Sequence, residues 1–148
     1  MNKSHPLKVQ EVSFAVAELM PNIIRGVQLD FFASRAITQT QFMMVVGIHA
    51  YGRCRMSELA KDMKIKMPTA TGIADRLVAG GYVRRFSEPN DRRAVILELT
   101  PEGQKFIGEF QRVLRRRWEE VLNSLGNTDL AAFYRVVTKL RNNLKRIP

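Results

Sequence analysis

The sequence is poor in the residue types that build metal centres and disulfide frameworks. It holds one cysteine and two histidines, too few for a structural zinc site of about four Cys or His ligands or for an intramolecular disulfide. We therefore predict no metal and no cofactor, and a reducing compartment, the cytoplasm. The chain also has no apolar run of the roughly 18 residues that a membrane-spanning helix needs, and its first residues do not resemble a signal peptide, so we predict no membrane partner.

The motifs of common enzyme classes are missing as well. The 148 residues contain no Gly-rich phosphate loop, no Gly-x-Ser-x-Gly and no His-x-x-x-His or Cys-x-x-Cys pair. We therefore predict that the chain is not an enzyme, and its length predicts a single compact unit.

Acidic residues are outnumbered by basic ones. There are 24 Lys and Arg against 14 Asp and Glu, a net charge of +10. Half of this surplus, +5, falls within residues 52–93. A basic surplus of this size suits a polyanionic partner, most often nucleic acid, and its concentration predicts a binding surface in the middle of the chain. The alternative is a solvated basic face without a partner.

Hydrophobic spacing predicts a mainly α-helical chain with one small β-hairpin. Pro21 predicts a kink or a break in the first helix near Met20, and Thr100-Pro101 predicts the start of a long helix. Either Asn127 or Thr128 is expected to cap the last helix. The predicted elements are helices at 7–33, 42–50, 57–63, 68–79, 101–125 and from about 128 onward, and strands at 82–86 and 94–99.

Residues 55–99 hold two short helices and a basic hairpin, a pattern typical of a winged helix-turn-helix. The second helix of such a unit enters the major groove of DNA, and an arginine at the hairpin tip can enter the minor groove. The helix should bury Ala70, Ile73, Ala74 and Leu77 and present its opposite face to DNA. The residues predicted to contact double-stranded DNA are Lys66, Pro68, Thr69, Thr71, Gly72, Arg76, Arg84, Arg85, Asp91, Arg92 and Arg93.

Several short segments, in their order and spacing, resemble the MarR family of bacterial transcription regulators, and the resemblance covers residues 38–107. Within it, Asp91 and Arg93 match the family's Asp-x-Arg pair of the wing. Lys64, Lys66 and Gly72 depart from the residues that are usual at those positions. The segments are Thr40-Gln41-Phe42, Ser57-Glu58-Leu59-Ala60, Asp75-Arg76-Leu77, Gly81-Tyr82-Val83-Arg84-Arg85, Asn90-Asp91-Arg92-Arg93 and Leu99-Thr100-Pro101-Glu102-Gly103.

The resemblance implies a homodimer that binds a palindromic operator, probes each half-site with one recognition helix, and is released by a small, often aromatic, ligand. It implies a helical dimerisation region at 1–36 and 102–148 and a winged helix-turn-helix at 37–101. We expect a repressor more than an activator. Trp118, Phe106, Phe110 and Phe133 are expected to pack in the subunit interface.

Three alternatives stay open at this level. The chain is either a sequence-specific regulator or an architectural protein that binds DNA without sequence preference. Cys54 is either a buried thiol or a redox sensor whose pKa Arg53 and Arg55 would lower. Met44, His49 and Met56 form either a ligand site or ordinary core and helix-end positions.

Overall fold

The computed structural model describes residues 7–33 and 35–144, without the side chains of Arg92 and Leu144. It is mainly α-helical with one small sheet, which confirms the predicted fold class of a winged helix-turn-helix with further helices around it. No helix within the described ranges is both long enough and apolar enough to cross a bilayer. The elements are α1 Val9–Phe32, α2 Gln39–Tyr51, β1 Arg53–Arg55, α3 Met56–Asp62, α4 Met67–Ala79, β2 Val83–Glu88, β3 Asp91–Leu99, α5 Pro101–Leu122 and α6 Asn127–Leu144.

The chain divides into two compact units. The central unit is Val27–Val113, and the terminal unit combines Met1–Gly26 with Leu114–Pro148. This division follows internal packing and cuts through both α1 and α5, about ten residues away from the boundaries predicted for the dimerisation and DNA-binding regions. The functional division therefore stays a prediction.

The central unit holds the hydrophobic core. Phe31 is fully buried and lies 5.0 Å from Phe106 between ring centroids, and Phe42 lies 4.7 Å from Phe110. Phe106 is therefore buried in this core and not in a subunit interface, so that part of the prediction is wrong, and the half-buried Phe110 packs against the same core. Both follow helical spacing on α5, which cannot distinguish packing within a subunit from packing between subunits.

The sheet of the central unit has three strands in the order β1-β3-β2, all antiparallel. Arg53 pairs with Glu98 and Val83 pairs with Leu99, so β3 is the middle strand. The sequence predicted only β2 and β3, because β1 has three residues and is too short to show alternation. The hairpin of β2 and β3, which we call the wing, is confirmed.

Local signals set both ends of α2. Thr38 caps α2 through its hydroxyl, which accepts from the N–H of Gln41 at 3.2 Å, and Gly52 follows the helix at a φ of 79°, a left-handed conformation that favours glycine.

No break occurs at Pro21, because α1 is continuous from Val9 to Phe32; a single missing N–H donor does not end a helix of 24 residues.

The last helix begins one residue earlier than predicted. Asn127 already lies inside α6, and the carbonyl of Gly126 accepts from the N–H of Leu130 at 3.0 Å. Gly126 thus occupies the cap position that we assigned to Asn127 or Thr128. Glycine is tolerated at a helix N-cap, although it offers no side-chain acceptor.

The start of α5 locks that helix to the wing. The Thr100 hydroxyl donates to the carbonyl of Gly81 at 2.5 Å and accepts from the N–H of Gly103 at 3.1 Å. A side chain at Gly103 would collide with the carbonyl oxygen of Tyr82. The run Thr-Pro-Glu-Gly is therefore needed as a unit, since the threonine caps the helix and the glycine allows the close approach.

The terminal unit, in contrast, has almost no core of its own. Among its described residues only Ile23 is buried. Its helices do contact each other: Trp118 and Phe133 lie 6.1 Å apart between ring centroids. The exposed large apolar residues of this unit are Leu7, Val9, Val12, Phe14, Val16, Leu19, Ile24, Val121, Leu125, Phe133, Tyr134, Val136, Val137 and Leu140.

Candidate nucleic-acid interface

Helix α4 has the two faces that the sequence predicts. Its buried residues are Ala70, Ile73, Ala74 and Leu77, which confirms the predicted inner face. Thr71 lies at the border and is half-buried. The exposed residues of the outer face are Pro68, Thr69, Gly72, Asp75 and Arg76. This face is small and polar near the start of the helix, so a nucleic-acid backbone can approach closely.

The turn into α4 contains an unusual backbone conformation. Lys64 has a φ of 54°, in the left-handed region that glycine adopts without steric cost. Lys66 is the N-cap residue of α4 but makes no side-chain cap hydrogen bond. The first N–H groups of α4 therefore depend on solvent or on a bound anion for partners, and the Lys66 residue that precedes them is exposed.

The two threonines of this helix differ in availability. The Thr71 hydroxyl donates to the carbonyl of Met67 at 2.9 Å, so its proton is already used within the helix. Thr69 is exposed and makes no side-chain hydrogen bond to another described residue. Thr69 is thus the threonine better placed to donate to a phosphate or a base.

The two arginines at the base of the wing are both in ion pairs. Arg84 contacts Glu98, its partner on β3, with Nη2–Oε2 at 2.9 Å. Arg85 contacts Asp75 of α4, with Nη1–Oδ1 at 2.5 Å. Both arginines were predicted as phosphate contacts. The structure shows them neutralised by neighbouring carboxylates, which reduces what either can offer to DNA.

The tip of the wing is organised by Asp91. Its Oδ1 accepts from the backbone N–H of Arg93 at 3.1 Å, a local turn stabilised by an aspartate side chain. The side chain of Arg93 is exposed, and that of Arg92 lies outside the described part of the structure.

Three of the cations predicted to contact DNA remain available. Lys66, Arg76 and Arg93 are exposed and have no ion-pair partner among the described residues. The first two flank the outer face of α4, and the third lies at the tip of the wing. These side chains, with Thr69 and the start of α4, form the candidate nucleic-acid interface of the central unit.

Arg53 and Arg55 of β1 make structural contacts that the sequence did not predict. The Arg53 guanidinium lies 4.2 Å from the centroid of the Phe86 ring, and Arg55 contacts Glu88 with Nη2–Oε2 at 2.5 Å. Both contacts tie the edge strand to β2 across β3. The only signal for them is the alternating run Arg-Cys-Arg after Gly52, which is too short to indicate a strand by itself.

Cys54 is a buried thiol, only 5% exposed. Burial, with a smaller contribution from the Glu58 carboxylate, raises its pKa. The expected lowering by Arg53 and Arg55 is wrong, because residues on either side in a strand project to the opposite face, and these two are exposed. A raised pKa and a buried sulfur both disfavour the redox-sensor alternative.

The three residues of the predicted ligand site lie in different surroundings. Met44 and Met56 are at most 1% exposed in the central core, whereas His49 is exposed. The structure therefore does not bring His49 together with the two methionines. A ligand can reach Met44 or Met56 only if the core repacks.

Two cavities open elsewhere in the central unit, and both include Gln39 at the start of α2. One has a volume of about 220 Å³ and is lined by Gln28, Phe32, Ile37 and Gln39. The other has a volume of about 280 Å³ and is lined by Gln39, Thr40, Met43, Met63 and Ile65. Their linings combine apolar side chains with the amides of Gln28 and Gln39 and the hydroxyl of Thr40.

Comparison with known proteins gives one consistent answer. The MarR family model matches residues 37–95. The chain is 32% identical over 114 residues to the uncharacterized HTH-type transcriptional regulator YsmB of Bacillus subtilis, which covers 75% of this chain and 76% of that protein. It is 30% identical over 105 residues to the multiple antibiotic resistance protein MarR of Salmonella typhimurium, covering 70% of this chain and 73% of that protein.

A solved structure agrees over almost the whole length. The crystal structure of a transcriptional regulator from Thermotoga maritima superposes with a TM-score of 0.79 at 25% identity, covering 93% of this chain and 96% of that one. The match includes the helices outside the winged helix-turn-helix. The chain therefore belongs to the MarR family, and it is a DNA-binding transcription regulator and not an enzyme.

Proposed function

We propose that the protein is a homodimeric repressor that binds a palindromic operator in the cytoplasm and is released by a small ligand. The observation that carries this proposal is the exposed outer face of α4 together with Arg93 of the wing, which has no ion-pair partner among the described residues. Pro68, Thr69 and Gly72 leave the start of α4 uncovered, and a recognition helix reads the major groove with its first residues. The wing adds a guanidinium suited to a narrow minor groove.

The terminal unit supports a dimer. Helices normally bury one apolar stripe, yet the described part of this unit buries only Ile23 and exposes large apolar side chains along α1 and α6. Tyr134 is 73% exposed and Leu140 is 54% exposed. Exposed apolar surface on this scale marks an interaction site, and the simplest occupant is the same unit of a second copy, which would duplicate the DNA-binding surface.

A dimer of this kind requires an operator with matching symmetry. Two recognition helices on one face of B-DNA fit half-sites about 34 Å apart, roughly one helical turn. Occupancy of such a site within a promoter would exclude RNA polymerase, which is the basis of repression. An altered spacing of the two helices would weaken both half-site contacts at once.

The proposed ligand site comprises the two cavities that share Gln39. Their volumes of about 220 and 280 Å³ lie below the range typical of drug-sized ligands, so they suit a molecule with one aromatic ring. The second cavity is lined by Met63 and Ile65, which flank Lys64 in the turn before α4. A ligand that separates these side chains from Met43 would shift the start of α4 and favour a state that does not bind DNA.

The proposal is tested by selecting DNA with the purified full-length chain. We expect footprinting of the selected fragments to show inverted half-sites about 10 base pairs apart, occupied by two chains in sedimentation. Binding to random duplex at the same salt concentration should be weaker by about 10³-fold or more. Equal affinity for random duplex would instead identify an architectural protein.

The ligand component is tested separately. Single-ring aromatic acids and phenols are screened by thermal shift, and hits are tested for displacement of the operator. Met43→Trp, which fills the second cavity from an exposed position, should abolish displacement while leaving operator affinity within about twofold. A hit that displaces DNA equally well from parent and Met43→Trp would exclude this cavity as its site.

A further inference from the structure

The outer face of α4 carries an acidic residue where a polyanion should bind. Asp75 lies on this face between Gly72 and Arg76, and its side chain is 53% exposed. A carboxylate on a DNA-facing surface repels phosphates, so simple charge complementarity does not explain it. Its contact in the structure does: Asp75 bonds to Arg85 of β2, with Oδ1 and Nη1 2.5 Å apart.

Among the ion pairs of the described residues, the Asp75–Arg85 pair is the one that joins α4 to the wing. Arg85 lies opposite Leu97 in the sheet, and Leu97 is fully buried. Arg85 therefore projects from the inward face of the sheet, the face against which α4 packs. Arg84, one residue earlier, projects to the other face and pairs with Glu98 within the sheet.

From this geometry we infer that Asp75 is a positioning residue, which binds Arg85 so that α4 and the wing meet DNA as one rigid element and Arg85 is withheld from phosphates. Specific recognition needs α4 in the major groove and Arg93 in the minor groove at the same time. Non-specific binding needs only positive charge. The pair therefore controls sequence discrimination more than affinity. The inference rests on the proposed operator binding.

Two single substitutions break the pair with opposite changes of net charge. Asp75→Asn removes a negative charge and releases Arg85, whereas Arg85→Gln removes a positive charge. Electrostatics alone predicts tighter binding to all DNA for the first variant and weaker binding for the second. A positioning role predicts that both lower the ratio of operator affinity to random-duplex affinity, by about 10-fold or more, in the same direction.

The matched control is Glu98→Gln. It also removes one negative charge and also releases an arginine of the wing, Arg84, but the broken pair lies within the sheet. It should raise affinity for operator and random duplex together and leave their ratio within about twofold. The charge-swapped variant Asp75→Arg with Arg85→Asp keeps the contact and the net charge, and should recover most of the parent's ratio.

Affinities are measured by fluorescence anisotropy on operator and random duplexes over a range of salt concentrations. For Asp75→Asn we expect a steeper salt dependence on random duplex, by up to about two units in the log–log slope, because each subunit of the proposed dimer releases one Arg85 that adds a phosphate contact. Thermal unfolding confirms that each variant is folded. An exposed ion pair contributes little to stability, so melting temperatures should stay within about 4 °C of the parent.

The inference is overturned if Asp75→Asn keeps the parent's ratio, as Glu98→Gln is expected to do, or if the two single variants change the ratio in opposite directions. It is also overturned if the charge-swapped variant is folded and its ratio of operator affinity to random-duplex affinity is no higher than that of either single variant. If the parent itself shows no preference for any operator, the proposed function fails first and the inference fails with it. Loss of the ratio in both single variants with recovery in the swap supports the inference.

Discussion

Replacing Arg93 with alanine should weaken operator binding far more than replacing Arg84, another arginine of the wing. Arg93 lies at the wing tip, is exposed and has no ion-pair partner among the described residues. Its backbone N–H is fixed by the Asp91 carboxylate at 3.1 Å, so its position is set before DNA binds. The fixed backbone places this side chain at the tip, and its guanidinium has no described ion-pair partner to give up when it enters a groove.

The magnitude follows from the proposed symmetry. One arginine contact to DNA is worth about 1–3 kcal/mol, and a dimer loses two copies, so the loss is about 2–6 kcal/mol. Since about 1.4 kcal/mol corresponds to a factor of ten, the operator affinity should fall by about 30-fold at least and by as much as about 10⁴-fold. The log–log salt slope should become shallower by up to about two units if both guanidinium groups contact phosphates.

Fluorescence anisotropy with a footprinted operator, at several salt concentrations, measures both quantities. Arg84→Ala is the matched control, because Arg84 lies on the same hairpin but is already bonded to Glu98, and we expect its effect to be less than tenfold. Sedimentation should show the same oligomeric state for both variants and the parent. Equal operator affinity of Arg93→Ala and the parent, or equal losses for Arg93→Ala and Arg84→Ala, would refute the role that we assign to the wing tip.

Three further predictions concern the interface between subunits, the outer face of α4 and the thiol. Leu140→Glu places charge in the exposed apolar surface of α6 and should weaken a dimer by about 100-fold or more in sedimentation, whereas Asn142→Glu should not; a fully dimeric Leu140→Glu would remove α6 from the interface. Gly72→Ala meets open space and should stabilise the free protein by about 0.5–1 kcal/mol in thermal unfolding, and destabilisation would mean that this face is covered. Cys54 is buried and has a raised pKa, so at about pH 8 it should be alkylated much more slowly in the native protein than in urea-unfolded protein; equal rates would contradict this. Because the thiol ionises first in the unfolded chain, its contribution should lower the free energy of unfolding as the pH rises through the unfolded pKa.

The parts of the fold that depend on local signals could be predicted from the sequence. The buried stripe of α4 and the threonine and proline that start α5 are set by neighbours within a few residues. Pro21 shows the limit of such signals, because the helix around it continues despite the missing donor. Propensity at one residue is outweighed by the rest of a long helix.

The sequence predicted which segments form the candidate nucleic-acid interface, but it did not predict the ion pairs of their arginines. The sequence indicates four arginines on one hairpin, but which of them remain free depends on register: Arg84 lies opposite Glu98, and Arg85 lies over Asp75. Adjacent residues of a strand project to opposite faces, so they meet different partners. The same alternation reverses the expectation for Cys54, whose basic neighbours in sequence are not its neighbours in space.

Because the terminal unit has almost no core, operator occupancy should depend steeply on the concentration of the protein. Where folding of that unit depends on pairing with a second copy, the law of mass action makes its stability rise with total protein concentration. Chains made at low abundance would stay unpaired, with α1 and α6 open to proteolysis, and would be removed before they reach a promoter. Operator occupancy would then rise with about the square of chain concentration, which gives a sharper threshold than a monomeric regulator can produce.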